Sequence, residues 1–219
     1  MMRRTRVKIC GLTRQADVAA AVAAGADAIG FVLYAKSSRH VSVARAAALA
    51  RALPPFVTPV CLFVNPSPTE LAAACAALPN ALLQFHGDET AAECDAAGRP
   101  YLRAVAMTPG LDLLNLALNF PNAQALLLDA AVEGYGGGGK VFDWSLIPAN
   151  LPPDVRSRLV LSGGLNPANV IDGVLRVRPF AVDVSSGVES SKGIKDAALM
   201  RRFCEAVREA DARLADIAT

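Results

Sequence analysis

Short apolar runs alternate with alanine-rich amphipathic stretches along most of this chain. The apolar runs predict strands at residues 6–10, 28–33, 58–64, 81–85, 101–105, 125–128, 159–161 and 181–184. The stretches between them predict helices at 14–24, 43–53, 68–78, 89–97, 111–118, 168–176 and 195–215, with a short helical piece after Asp143. Strands that alternate with helices in this way are typical of βαβ units and a parallel sheet.

Eight such units predict a compact (β/α)8 TIM barrel, an α/β fold that is usually near 250 residues long. An open doubly wound sheet is the alternative, because the number of strands does not prove closure. No linker or change in composition divides residues 1–219, so we expect a single domain.

Residues at the predicted element ends have the expected chemistry. Ser42, Ser67 and Asn166 stand in cap-like positions before helices. Gly25 and Gly98 follow helices and are typical helix stops. The prolines at 152–153 predict a plain turn before the seventh strand.

Composition and charge narrow the functional classes. The chain has 53% hydrophobic and 19% charged residues, which indicates an ordered globular protein. A net charge of +2 gives no case for binding nucleic acid or an anionic membrane. No apolar run is long enough to predict a membrane span, and the basic start lacks the apolar stretch of a signal peptide. Five scattered cysteines without CxxC spacing predict reduced thiols, a cytoplasmic location and no zinc site.

Polar and glycine-rich groups follow the predicted strands, whereas the segments before the strands look like simple turns. In a barrel the loops after the strands all open at one end, where chemistry is concentrated. Cys10 ends the first strand and precedes Gly11. A lone cysteine is also a common core residue, so its position is what makes a reactive thiol plausible.

Asp129 follows four apolar residues of the sixth strand and faces the same barrel mouth as Cys10. A carboxyl group and a thiol opposed across a pocket can serve as general acid and general base. The alternative is a helix cap or loop residue. Alternation along the first strand puts Lys8 on the face of Cys10, where it is a candidate to favour the thiolate. An inward lysine needs a partner, and we expect it to pair with Asp183 of the eighth strand.

Two late loops predict a phosphate site. Gly163 and Gly164 follow the seventh strand, and Ser185 and Ser186 follow the eighth, each before a helix-forming segment. Glycines let backbone N–H groups approach an anion, and helix N-termini favour negative charge. Two ordinary tight turns are the alternative.

The remaining candidates lie in other loops. Arg39 can bind a carboxylate through two parallel hydrogen bonds, or it is a solvated loop charge. His86 is a candidate for substrate contact or for a structural hydrogen bond, and His40 looks like a surface residue. The glycine run at 136–139 suggests a mobile loop over the site. A P-loop is excluded, because Lys140 is followed by valine.

Ordered blocks over nearly the whole chain resemble the phosphoribosylanthranilate isomerases of tryptophan biosynthesis. They are VKICGLT at 7–13, GADAIGFV at 25–32, FVN at 63–65, QFHGDE at 84–89, LD at 128–129, GGGGKVFDW at 136–144, LSGGLNP at 161–167, DVSSGVE at 183–189 and GIKD at 193–196. The resemblance implies a (β/α)8 barrel that converts N-(5-phosphoribosyl)anthranilate to 1-(2-carboxyphenylamino)-1-deoxyribulose 5-phosphate by an Amadori rearrangement. It implies no metal or organic cofactor, and either a monomer or a homodimer.

The resemblance also assigns roles to residues. Asp129 matches the family's general acid, which protonates the furanose oxygen, and Cys10 matches the base that removes the C2 proton. Arg39 matches the residue that holds the anthranilate carboxylate. Gly164, Ser185 and Ser186 match the phosphate clamp. Two alternatives stay open: a metal-dependent phosphosugar epimerase, which two histidines in different loops disfavour, and a catalytically inactive barrel that only binds a phosphorylated ligand.

Overall fold

Eight parallel strands close into a barrel in chain order in the computed structural model, which describes residues 4–131, 139 and 141–217. The strands are β1 (Arg6–Cys10), β2 (Ala28–Val32), β3 (Thr58–Phe63), β4 (Leu82–Phe85), β5 (Tyr101–Met107), β6 (Ala125–Ala130), β7 (Leu159–Leu161) and β8 (Ala181–Val184). The helices are α1 (Gln15–Ala24), α2 (Val43–Ala50), α3 (Pro68–Ala77), α4 (Ala91–Ala96), α5 (Leu113–Asn119), α6 (Pro153–Arg156), α7 (Val170–Val177) and α8 (Ala197–Ile217). The predicted (β/α)8 barrel is confirmed, and the open sheet is excluded because β1 pairs with β8.

The barrel has two apolar layers because side chains alternate along each strand. Outward residues such as Ile9, Leu126 and Val182 pack against the helices in the larger cluster. Inward residues such as Val60 and Leu127 fill the barrel interior. The same alternation turns polar residues inward near the carboxyl ends of the strands, where the loops that follow the strands begin.

Side-chain caps set several helix starts, as the sequence predicts. The Ser42 hydroxyl accepts a hydrogen bond from Arg45 N, and Ser67 forms a reciprocal capping box with Glu70. The predicted helix at 89–97 begins later, at Ala91, because Thr90 is its cap. Gly25 ends α1 in the left-handed conformation, and Gly98 is also left-handed just past α4.

Four local predictions are wrong. Pro153 begins the one-turn helix α6 instead of lying in a plain turn, since proline fits the first helical position. Asn166 does not cap α7; its side chain accepts from Ala168 N in a turn, and the helix begins at Val170. Lys195 belongs to a short antiparallel pair, β9 (Glu189–Ser191) with β10 (Ile194–Lys195), and helix α8 starts two residues later. Asp129 lies within β6 and not after it.

The described helices include none that is both long and apolar enough to cross a membrane. The glycine run at 136–139, which the sequence predicts to be a mobile loop, lies outside the described residues except for Gly139.

Candidate active site

One pocket at the carboxyl ends of the strands brings together every catalytic and substrate-binding residue that the sequence predicts. The nominated residues that line it are Cys10, Arg39, His86, Asp129, Gly163, Gly164, Asp183, Ser185 and Ser186. His40 lies outside this pocket and is exposed, as predicted.

Cys10 is buried at the end of β1, above an inward ion pair. Lys8 Nζ lies 2.9 Å from Asp183 Oδ1, which confirms the predicted pair. Burial opposes the charge of Lys8, but Asp183 and Cys10 together hold the pKa of Lys8 above its ordinary value. Burial also raises the pKa of the Cys10 thiol, and Lys8 opposes that shift without reversing it. The resting thiol is therefore protonated at neutral pH, so Lys8 alone does not activate it.

Asp129 points inward from β6 on the opposite side of the pocket, because Ala125, Leu127 and Asp129 share one face of the strand. Its Oδ1 accepts a hydrogen bond of 2.8 Å from Ala130 N. Its Oδ2 lies 3.2 Å from Nε2 of His86, which follows β4. The carboxyl group is thus held by one contact at each oxygen.

The two late loops approach each other as the predicted phosphate site requires. Gly163 and Gly164 both adopt positive φ values, 78° and 63°. A Cβ at Gly187 would lie 1.9 Å from Leu165 O, so only glycine allows the two loops to pack this closely. Ser186–Val188 forms a single 3-10 turn after β8, whereas α7 begins several residues beyond Gly164. Each loop therefore precedes a helical segment, as the sequence predicts.

Arg39 is buried and already uses one side of its guanidinium within the protein. Its Nε and Nη2 atoms donate to the two carboxylate oxygens of Glu189, at 2.7 and 2.8 Å. In the described part of the chain its Nη1 makes no hydrogen bond. Glu189 occupies the side of the guanidinium formed by Nε and Nη2, so a bound carboxylate would meet the end formed by Nη1 and Nη2, which can also give two parallel hydrogen bonds.

Glu189 and Lys195 connect the arginine to the phosphate loop, and sequence reasoning missed both. Lys195 Nζ donates to Glu189 Oε1 at 2.7 Å and to Ser185 O at 3.0 Å. Ser185 Oγ in turn donates to Cys10 O at 3.0 Å. Burial opposes the charge of Glu189, but hydrogen bonds from Arg39 and Lys195 keep the pKa of Glu189 below its ordinary value. The hairpin of β9 and β10 thus ties three parts of the pocket together.

Gln84 is another pocket residue that the analysis of single residues missed, although it opens the QFHGDE block. It is inward on β4, two residues before His86, and its Nε2 lies 3.1 Å from His86 Nδ1. Among the described residues no three His, Cys, Asp or Glu side chains group so that they could hold a metal ion.

Comparisons with known proteins agree with this geometry. Residues 7–206 match the family model of N-(5'phosphoribosyl)anthranilate (PRA) isomerase. The chain is 76% identical to the N-(5'-phosphoribosyl)anthranilate isomerase of Methylibium petroleiphilum, over 97% of this chain and 98% of the relative. The phosphoribosyl anthranilate isomerase of Thermus thermophilus superposes with a TM-score of 0.84 at 34% identity, covering 94% of this chain and 99% of that one.

A second solved isomerase holds a ligand. It is a phosphoribosyl anthranilate isomerase in complex with reduced 1-(o-carboxyphenylamino)-1-deoxyribulose 5-phosphate. It has a TM-score of 0.80 and 39% identity to this chain, and the match covers 94% of this chain and 99% of that one.

Proposed function

The chain belongs to the family of N-(5'-phosphoribosyl)anthranilate isomerases, the isomerases of tryptophan biosynthesis, and from that premise we propose the roles of its residues. Asp129 acts as general acid and Cys10 as general base in the rearrangement of N-(5-phosphoribosyl)anthranilate. The observation that carries this proposal is that both groups face one pocket which also contains two glycine- and serine-lined loops and a buried arginine.

The first step is opening of the furanose ring. Asp129 gives a proton to the ring oxygen, the bond between that oxygen and C1 breaks, and the anthranilate nitrogen forms an iminium with C1. A carboxyl group suits this role when both its oxygens are fixed, as they are by Ala130 N and His86.

The second step is removal of the proton on C2. The Cys10 sulfur takes this proton, which leaves an enolamine that tautomerises to the ketose. Because burial raises the pKa of the Cys10 thiol, the thiolate needs positive charge nearby, and the iminium supplies it at the right moment. Lys8 and Lys195 also favour the thiolate.

The two anionic ends of the substrate bind at the two sides of the pocket. We assign the phosphate to Gly163, Gly164, Ser185 and Ser186, and the anthranilate carboxylate to Arg39. This assignment is supported by the burial of Arg39 and by the positive φ of both glycines, which turns backbone N–H groups toward an anion. His86 contacts the acid Asp129 in the free protein, so its part in substrate binding is indirect in this proposal.

The test is substitution of each proposed proton-transfer group. Cys10→Ser and Asp129→Asn should each lower kcat by more than about 10²-fold, measured from the loss of anthranilate-type fluorescence. Cys75→Ser on α3 and Asp172→Asn on α7 are matched controls outside the pocket and should retain full activity. If both active-site variants kept the wild-type rate, the assignment of acid and base would be refuted.

A cytoplasmic location is also proposed, supported by the absence of disulfides among the five cysteines, all of which are in the described residues and are free thiols. Whether the protein is a monomer or a homodimer stays an untested prediction.

A further inference from the structure

Three side chains form a row along one wall of the pocket, from Gln84 through His86 to Asp129. Gln84 is fully buried, with 0% of its surface exposed. Its amide Nε2 lies 3.1 Å from Nδ1 of His86, whose Nε2 lies 3.2 Å from Asp129 Oδ2. In the described part of the chain Gln84 Oε1 has no hydrogen-bond partner. A buried amide with an unsatisfied oxygen is costly, so its orientation calls for an explanation.

The direction of the amide determines the tautomer of the imidazole. An amide nitrogen can only donate, so Nδ1 must be an acceptor without a proton. The neutral ring then has its proton on Nε2, and this N–H faces Asp129 Oδ2 at a distance of 3.2 Å. A proton on Nδ1 as well would set two donors against each other at 3.1 Å.

The same geometry limits where a protonated Asp129 can direct its own proton. Oδ1 accepts a hydrogen bond from Ala130 N, and Oδ2 lies 3.2 Å from His86 Nε2. With His86 as the Nε2–H tautomer, both oxygens face an N–H of the protein, and neither neighbour offers a lone pair for the proton of the acid. That proton must point into the pocket, where the reacting oxygen of a substrate would lie.

We propose that Gln84 is a positioning residue that holds His86 as the Nε2–H tautomer, so that the imidazole offers no acceptor to the acid and the proton of Asp129 is directed at the substrate. This inference rests on the proposed role of Asp129 as general acid. With the opposite amide orientation, Gln84 Oε1 would accept from Nδ1–H, and the bare Nε2 would hold the acid's proton inside the protein. The two orientations thus predict opposite tautomers.

Other charged groups face this row. Asp183 lies on β8, is paired with Lys8 on β1, and interacts electrostatically with both His86 and Asp129, but no hydrogen bond joins it to either imidazole nitrogen in the described part of the chain. Cys10 and Arg39 line the same pocket, and Glu189 neutralises Arg39. The Gln84 amide is therefore the nearest group whose hydrogen bond distinguishes the two imidazole nitrogens.

The test begins with the tautomer, which can be read without any activity measurement. The chain has two histidines, and the exposed His40 serves as an internal reference in ¹⁵N–¹H spectra of the imidazole groups. We expect His86 in the wild-type protein at neutral pH to be the neutral Nε2–H form. An Nδ1–H tautomer or a doubly protonated ring would overturn the proposal.

Two variants then connect the tautomer to catalysis. Gln84→Glu supplies only acceptors, so it should put a proton on Nδ1 and lower kcat about tenfold or more, with KM changed by less than about threefold. Gln84→Met removes both hydrogen-bonding groups and should give mixed tautomers with a smaller loss of kcat. Gln124→Glu, at an exposed position, is the matched control and should change neither the tautomer of His86 nor kcat.

The outcomes separate this inference from the proposed function. If Gln84→Glu moved the proton of His86 but kcat stayed at the wild-type value, the positioning role would be refuted. If Asp129→Asn were fully active, the proposed function would fail, while the tautomer spectrum would still report on Gln84. If neither variant folds, the wild-type spectrum alone decides the orientation of the amide.

Discussion

Gly30 has no side chain, and the side chain of Cys10 occupies the space beside it. Adding one methyl group at this position, in Gly30→Ala, should therefore impair catalysis. The two residues are paired in register on β2 and β1. A Cβ on Gly30 would lie 2.6 Å from Cys10 Sγ and 3.0 Å from Cys10 Cα. Non-bonded heavy atoms prefer separations of about 3.5–4.0 Å. In Gly30→Ala the sulfur must therefore move by roughly 1 Å, or the two strands must separate.

A displacement of this size has a defined expected cost. A misplacement of about 1 Å can reduce the rate by about 10²-fold, which is about 2.7 kcal/mol of transition-state stabilisation. Overpacking should also lower the free energy of unfolding by about 1–3 kcal/mol. The fluorescence assay gives kcat and KM, and urea unfolding gives stability. We expect kcat to fall and KM to change little, because Gly30 does not line the pocket.

Gly173→Ala is the matched control for crowding. Its Cβ would lie 3.0 Å from Leu161 Cδ2 and 3.2 Å from Trp144 Cη2, on α7 and away from Cys10. Crowding and the higher helix propensity of alanine act in opposite directions on the stability of this variant, but its kcat should stay at the wild-type value. If Gly30→Ala folded and kept kcat within about threefold of wild type, the sulfur position would not matter in the way the structure indicates.

Three further predictions concern stability. Lys8→Met leaves Asp183 as a buried unpaired carboxylate and should cost about 3–5 kcal/mol in urea unfolding, with partial recovery in Lys8→Met/Asp183→Asn. The lowered pKa of Glu189 implies a contribution to stability that is fully present above the ordinary glutamate pKa of about 4.3 and is lost as the pH falls below that value. The difference in unfolding free energy between wild type and Glu189→Gln should therefore become smaller in acid. A difference that stayed constant with pH would contradict the pKa shift. Phe56 is 100% exposed and has a φ of 70°, a left-handed conformation that asparagine adopts more readily than phenylalanine. Phe56→Asn should therefore raise Tm by about 1–4 °C. A decrease in Tm that depends on protein concentration would instead show that a second copy covers the ring.

The barrel could be predicted because each strand carries its own signal. β1, β7 and β8 have the predicted bounds, since an apolar run bounded by polar or glycine residues depends on local chemistry alone. The wrong prediction that Asp129 lies after the sixth strand also arises from reading local chemistry alone. A polar residue at the end of an apolar run looks like the start of a loop, but inside a barrel it simply continues the inward face of the strand.

Glu189 and Lys195 could not be predicted in the same way. Glu189 lies 150 residues from Arg39 in sequence, and only closure of the barrel brings the two together. Both residues lie in a short hairpin that resembles an ordinary polar connection before a helix. The QFHGDE block did contain a signal for Gln84, because Gln84 lies two positions before His86, and residues two apart in an extended chain point to the same side. Applying strand alternation to that block would have nominated the glutamine.

Charge determines the order of the two proton transfers in the proposed reaction. A bound phosphate adds a charge of about −1.5 to −2, and the anthranilate carboxylate adds another negative charge. These charges oppose a thiolate at Cys10, whose pKa burial already raises, and Lys8 offers limited help because Asp183 neutralises it. Ring opening then creates an iminium cation beside C2, which is the first positive charge to arrive without a partner. Cys10 can therefore act as a base only after Asp129 has given up its proton.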